Sequence, residues 1–157
     1  MYSVDTNIFL DWWDRRYPPD LFPSVKKAIE ELINQGKFFA PERVLEEIHR
    51  VGSNPLKNWA KSHKQIFLPH DVHLQEEANE IQFKYPDLID NNSPYDEADR
   101  WLIALAKLKE WIVITHETSV KNKRRPDRNL YIPDVCNSMK IPCKEFLELL
   151  RIEKLSF

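Results

Sequence analysis

Four acids, Asp5, Glu47, Asp99 and Glu117, combine a residue type and a placing that could do chemistry. Asp5 ends a short apolar stretch, residues 1–4, and precedes Thr6, Asn7 and the apolar run Ile8, Phe9 and Leu10. Glu117 lies just past residues 111–115, a β-branched run of the kind that forms a strand buried on both faces of a parallel sheet. In open α/β sheets, ligands bind beyond the carboxyl ends of the strands. Asp99 stands one and two helical turns before Ile103 and Ala106, on the side that packs inward. Glu47 flanks the apolar face that Val44, Ile48 and Val51 define, whereas Glu46 points the opposite way, to solvent. Gathered in one place, four carboxylates would repel and raise each other's pKa. A hard divalent cation, Mg²⁺ or Mn²⁺, resolves that repulsion. Two such ions could hold the attacking water and the leaving oxygen of a phosphodiester in line, so the expected chemistry is metal-dependent phosphodiester hydrolysis.

Several acids also have plainer readings. Asp5 could cap the helix that follows it, and that alternative is evenly balanced with a site role. Asp96 and Glu97 suit a first helical turn, where acids complement the helix dipole. Glu47 could pair with Arg43 or Arg50, since an unpaired buried charge is costly.

The elements that must position these acids alternate between strand and helix. Residues 1–4, 37–40, 111–115 and 141–143 are expected as strands. Residues 23–35, ended by Gly36, the stretch opened by Pro41, residues 54–67, 72–85, the run from 95 to the strand at 111, and 144–152 are expected as helices. The helices at 54–67 and 72–85 are polar enough to lie outside the sheet. Pro86, Asp87, Asp90, Asn91, Asn92 and Pro94 belong to a loop, and residues 132–138 to a turn or short helix. This alternation predicts an α/β fold with a mainly parallel central sheet in a single domain spanning residues 1–157.

Composition narrows the function classes. A net charge of −2 supplies no global basic field, so any nucleic-acid contact needs a local patch. Residues 118–130 offer one, with Lys121, Lys123, Arg124, Arg125 and Arg128 directly after Glu117. Two glycines exclude a phosphate-cradling Gly-rich loop. Cys136 and Cys143 have neither metal-type nor CxxC spacing and are expected to be reduced, which suits a cytoplasmic protein. Neither a signal peptide nor a long apolar span is recognised, so no membrane role is expected.

The motifs resemble those of a PIN domain. Val4-Asp5-Thr6-Asn7, then Glu47-Ile48, then Asp99 running into Ile103-Ala104-Leu105-Ala106, then Ile114-Thr115-His116-Glu117 match its four motifs in order and spacing over almost the whole chain. The resemblance implies a PIN-like three-layer fold and a Mg²⁺- or Mn²⁺-dependent nuclease. Asp5, Glu47, Asp99 and Glu117 would surround the metal, with Thr6, Asn7 and Thr115 in support. Many small members resemble the VapC-type ribonuclease toxins. That likeness implies RNA as substrate and a protein antitoxin as partner, and a homodimer is a further expectation. The chain departs from the pattern in two places. Glu117 stands where Asp is more usual, and residues 123–136 are not typical of VapC-type toxins, which leaves Asp96 and Asp134 as reserve acids.

Other classes fit less well. A haloacid-dehalogenase-type phosphatase wants a second Asp two positions after the first, where this chain has Asn7. His49, His63, His70, His73 and His116 contain no HExxH pair and are expected at the surface, against a zinc hydrolase. Trp12, Trp13 and Tyr17 could stack bases, although core or dimer packing suits such a helix better. The serious rival is a PIN-like fold that binds nucleic acid or protein without catalysis.

Overall fold

The computed structural model describes residues 1–90 and 92–157; Asn91, expected in the 86–94 loop, lies outside them. Five short strands form one parallel sheet in the order β3-β2-β1-β4-β5. They are β1 (Tyr2–Val4), β2 (Phe38–Pro41), β3 (Phe67–Leu68), β4 (Ile112–Ile114) and β5 (Cys143–Lys144). Helices cover both faces, as parallel sheets require: α1 (Thr6–Leu10, continued as a π-helical segment Asp11–Arg16), α2 (Pro23–Asn34), α3 (Glu42–Val51), α4 (Asn54–Ser62), α5 (Val72–Lys84), α6 (Asp99–Lys109), α7 (Ile132–Met139) and α8 (Phe146–Ile152). The expected three-layer α/β architecture is what the chain adopts.

Strand alternation divides the interior into two cores. Tyr2, Val4 and Ile114 face one core, which is filled by residues of α1, α2, α3, α4 and α8. Val113 faces the other, filled by α5, α6 and α7. Ser3 points to the second side as well, and its buried hydroxyl is satisfied by donating to the Leu102 carbonyl on α6 (2.9 Å). This pins α6 beneath β1, the strand that carries Asp5. Trp12 is fully buried and packs edge-on against Trp13 and Trp59, so these aromatics are core packing rather than a base-stacking surface.

Several boundaries differ from expectation. The helix begun at Asn54 stops at Ser62, where the His63 ring turns back onto the Trp59 carbonyl (Nδ1 to O, 2.8 Å). After one 3₁₀ turn the chain forms β3, whose two residues are too few to show a strand period. Pro41 closes β2 and precedes α3 instead of opening it, and Val51, expected on the inner face, is exposed. The helix expected from residue 95 begins at Asp99. Asp96 and Glu97 are therefore not first-turn residues. His70 and His116 are half-buried rather than at the surface, and burial lowers both imidazole pKa values. His70 stacks on Trp101. Among the described residues no helix is long and apolar enough to cross a membrane.

Candidate active site

Asp5 and Thr115 leave adjacent parallel strands at their carboxyl ends, so their side chains meet. The Thr115 hydroxyl donates to Asp5 Oδ2 (2.7 Å) and accepts from Asn7 Nδ2 (3.2 Å) and the Glu117 amide (3.1 Å). One donor and two acceptor positions are thus filled, which is all a hydroxyl offers. Asn7 Oδ1 accepts the His116 amide in turn (3.1 Å), locking the turn after β4 to the start of α1.

Glu47 reaches the same region from α3. Its Oε2 accepts from the Thr6 hydroxyl, and its Oε1 from the Ala98 amide at the head of α6 (2.9 Å), with Arg50 more distant at 3.9 Å. Glu47 thereby ties α1, α3 and α6 together. Glu46 points away and pairs with Arg43, as its place on the wheel predicts.

Asp99 opens α6 and Glu117 follows β4, and a single residue bridges them. Arg128 donates from Nη1 to Asp99 Oδ2 (3.1 Å) and from Nη2 to Glu117 Oε1 (3.0 Å). The other Glu117 oxygen accepts the Ile132 amide at the start of α7 (3.0 Å). Glu97 completes the set. Its Oε2 is buried with no hydrogen-bond partner among the described residues, and Arg128 Nη1 lies 3.6 Å away.

Asp5, Glu47, Glu97, Asp99 and Glu117 line one open pocket of about 250 Å³ together with Thr6, Asn7, Arg50 and Arg128. Five carboxylates against two guanidiniums leave a nominal charge of −3 when all are ionised. The electrostatics follow from that imbalance. Burial, and next the charge of Glu117, push Asp5 up to about 7; Thr115 opposes the shift and Glu47 adds to it. Asp99 is held well above the usual carboxylate range by burial and by Glu117 and Asp5, with Arg128 opposing. Burial raises Glu97 as well, against the pull of Arg128. Among the described residues no three His, Cys, Asp or Glu side chains stand as a preassembled metal centre. Two features account for this: Glu47 spends both oxygens on Thr6 and Ala98, and Arg128 draws Asp99 and Glu117 to itself.

The remaining candidates lie outside the pocket. Asp96 accepts from Arg100 and from Trp101 Nε1 and pairs with Arg43. Asp134 accepts from Ser119, from the Val120 amide (2.9 Å) and from the Tyr131 amide (3.0 Å), so it staples the loop after β4 to α7. Both reserve acids have structural work. In the basic loop, Lys121, Arg124 and Arg125 are exposed, and Lys123 rests over the Tyr131 ring with its ammonium 4.0 Å from the centroid. Arg128 alone of these five lines the acidic pocket. The sequence reading missed Glu97 and gave Arg50 only a salt-bridge role. Glu97 was legible only to a reader who placed the start of α6 at Asp99, which leaves residue 97 in the irregular lead-in to that helix, lining the pocket.

The chain belongs to the family of the domain of unknown function DUF4411, whose model matches residues 2–157. No curated protein and no solved structure matches it.

Proposed function

We propose that this DUF4411-family chain is a divalent-metal-dependent nuclease that hydrolyses phosphodiester bonds at the pocket formed by Asp5, Glu47, Glu97, Asp99 and Glu117. The observation that carries the reading is the convergence of these five carboxylates, from four segments of the chain, on one open pocket at the carboxyl edge of the sheet. Buried acids that raise each other's pKa are costly in a fold unless they serve something. The donor set fits a hard cation, since it is all carboxylate oxygen and includes Glu97 Oε2, which is buried without a hydrogen-bond partner among the described residues. Mg²⁺ or Mn²⁺ bound there would supply a more acidic water and neutralise charge developing on a phosphate.

The chain's own residues divide the remaining tasks. Asp5, Asp99 and Glu117 would hold the ion, with Glu97 beside them. Thr115 and Asn7 orient Asp5 and the backbone around Glu117. Glu47 fixes the head of α6, and hence Asp99, through Ala98. Lys121, Arg124 and Arg125 extend from the loop next to Glu117 and would hold flanking backbone phosphates. The PIN-domain resemblance of the four motifs supports the same chemistry. Its VapC-type members suggest RNA as the substrate, a cytoplasmic setting and a protein antitoxin as the partner.

A second reading, a nucleic-acid-binding module without catalysis, is favoured by the ion pairs that Arg128 makes with two of the acids. Incubating the purified chain with a mixed panel of RNA and DNA, in Mg²⁺, Mn²⁺ or chelator, separates the two. The nuclease reading expects cleavage of at least one substrate class with metal and none in chelator. Binding without cleavage under all conditions would select the second reading.

A further inference from the structure

Arg128 behaves unlike its neighbours in the basic loop. Its guanidinium donates to Asp99 Oδ2 (3.1 Å), Glu117 Oε1 (3.0 Å) and the Leu88 carbonyl (2.9 Å), and stands 3.6 Å from Glu97 Oε2. Its Cζ lies 4.9 Å from the centre of the Tyr131 ring. The Tyr131 hydroxyl accepts the backbone amides of Asp127 (3.0 Å) and Arg128 itself (3.2 Å), which shapes the turn that aims the side chain. One cation thus bridges two carboxylates and neighbours a third, in the space where five acids meet.

A divalent ion bound to Asp99 and Glu117 would compete with Arg128 for these two carboxylates. The two cations would also repel each other at contact distance. We propose that Arg128 is a resident counter-cation: it neutralises the pocket while no metal is bound, yields Asp99 and Glu117 to an entering divalent ion, and then presents its freed guanidinium to a backbone phosphate of the substrate. The inference rests on the metal-dependent reading above and adds how that site is charged, emptied and coupled to its substrate.

Three features make the exchange workable. Arg128 sits in a loop whose only regular element is the 3₁₀ turn Val120–Asn122, while the loop's ends are held separately, by Asp134 at Ser119 and Val120 and by Glu117 at Ile132. The side chain can therefore leave without unseating β4 or α7. A guanidinium fork matches phosphate as well as it matches carboxylate, so the released group has an obvious new partner. The exchange also couples the ligands: metal frees Arg128 for phosphate, and phosphate draws Arg128 off the acids, so each ligand favours the other.

The test compares wild type, Arg128→Ala and Arg128→Lys by calorimetric Mn²⁺ titration without substrate. Hydrogen exchange of residues 123–131 in wild type is measured with and without Mn²⁺. Arg128→Ala should bind Mn²⁺ roughly ten- to a hundredfold more tightly than wild type, because a charge-assisted pair no longer has to be broken first. Arg128→Lys should fall between. Saturating Mn²⁺ should speed exchange at the Asp127 and Arg128 amides, whereas a purely structural loop would be slowed or unchanged. Metal uptake by Arg128→Ala but not by wild type would support the exchange most strongly. Equal or weaker affinity in Arg128→Ala, with wild type binding normally, would overturn the exchange and leave the metal site standing. Absence of Mn²⁺ binding in both would overturn the exchange and the metal-dependent reading together. Should Arg128→Ala fail to fold, the wild-type exchange data decide alone: unchanged protection on metal binding rejects the proposal.

Discussion

Replacing Asp5 by Asn removes one buried charge and leaves its principal hydrogen bond in place. The amide oxygen of Asn can accept from Thr115 Oγ1 as Asp5 Oδ2 does. Asp5 is also the cleaner choice than Asp99, which would leave Arg128 short of a partner. The Asp5 carboxyl is pushed from an ordinary 3.8 up to about 7, chiefly by burial and by Glu117. A folded-state pKa above the unfolded value means that the native state holds a proton the unfolded chain has released. The protein therefore loses stability as pH rises from about 4 to about 7, and no further from this group above that. At ~1.4 kcal/mol per pH unit, the roughly three-unit gap sets an upper bound of about 4 kcal/mol. The amide fits the carboxylate's place imperfectly, so a net gain of about 1–3 kcal/mol is expected for Asp5→Asn in chelator at pH 8. That corresponds to roughly 2–4 °C in Tm per kcal/mol for a chain of this size. At pH 4 the gain should vanish, because wild type is neutral there too. The assay is thermal or urea unfolding of both proteins across pH 4–8, in chelator and again in excess Mn²⁺. On the proposed reading, in which Mn²⁺ is held by the native carboxylates, excess Mn²⁺ should stabilise wild type by about 2.7 kcal/mol at a hundred times its Kd, and the mutant much less. Equal destabilisation by Asp5→Asn at both ends of the range would refute the electrostatic reasoning and return Asp5 to a structural hydrogen-bonding role.

Glu47→Ala should cost about 1–3 kcal/mol in urea unfolding, since it strands the Thr6 hydroxyl and the Ala98 amide; Glu46→Ala should stay within about 0.5 kcal/mol, and similar costs for the two would contradict the assigned orientations. Arg124→Ala with Arg125→Ala should weaken nucleic-acid binding and flatten its dependence on salt by roughly 0.7–0.9 log units per log unit of salt for each lost phosphate contact. An unchanged slope in filter binding would place the phosphate track elsewhere. Glu97→Gln should reduce Mn²⁺ affinity measured by calorimetry while leaving Tm in chelator unchanged or higher, because burial already disfavours its charge; undiminished affinity would exclude Glu97 from the ion's surroundings.

The parts of the site that follow local rules were legible in the sequence. Asp5 and Glu117 were placed by the strands they follow, and β1 and β4 show themselves through short apolar runs. Asp99 and the contrast between Glu46 and Glu47 follow from helical spacing. What escaped depends on contacts across the fold. Arg128 looks like any solvated loop residue until the loop after β4 folds back across α6 to meet Asp99, 29 positions away in sequence. Glu97 was hidden by a boundary shift, since a helix begun at 95 makes it a surface acid and a helix begun at 99 turns it into the pocket. Strand β3 is two residues long and gains its identity from pairing with Ala40 and Pro41, which no local pattern announces. The 54–67 stretch fits a helical period well enough that only the His63 turn reveals its end.

The central claim is that a divalent ion, held by the carboxylates of this pocket, enables phosphodiester hydrolysis. The most direct measurement is the single-turnover cleavage rate of a labelled oligonucleotide from the panel at saturating Mn²⁺, for wild type and Asp99→Asn. Both proteins should first be shown to be folded by their melting curves in chelator. The account predicts metal-dependent cleavage by wild type and a rate lowered at least about a hundredfold in Asp99→Asn, the equivalent of ~2.7 kcal/mol of lost activation. Binding of the oligonucleotide in chelator should be retained by the mutant. Cleavage by a folded Asp99→Asn at the wild-type rate, or no cleavage of any substrate by wild type in either metal, would contradict it.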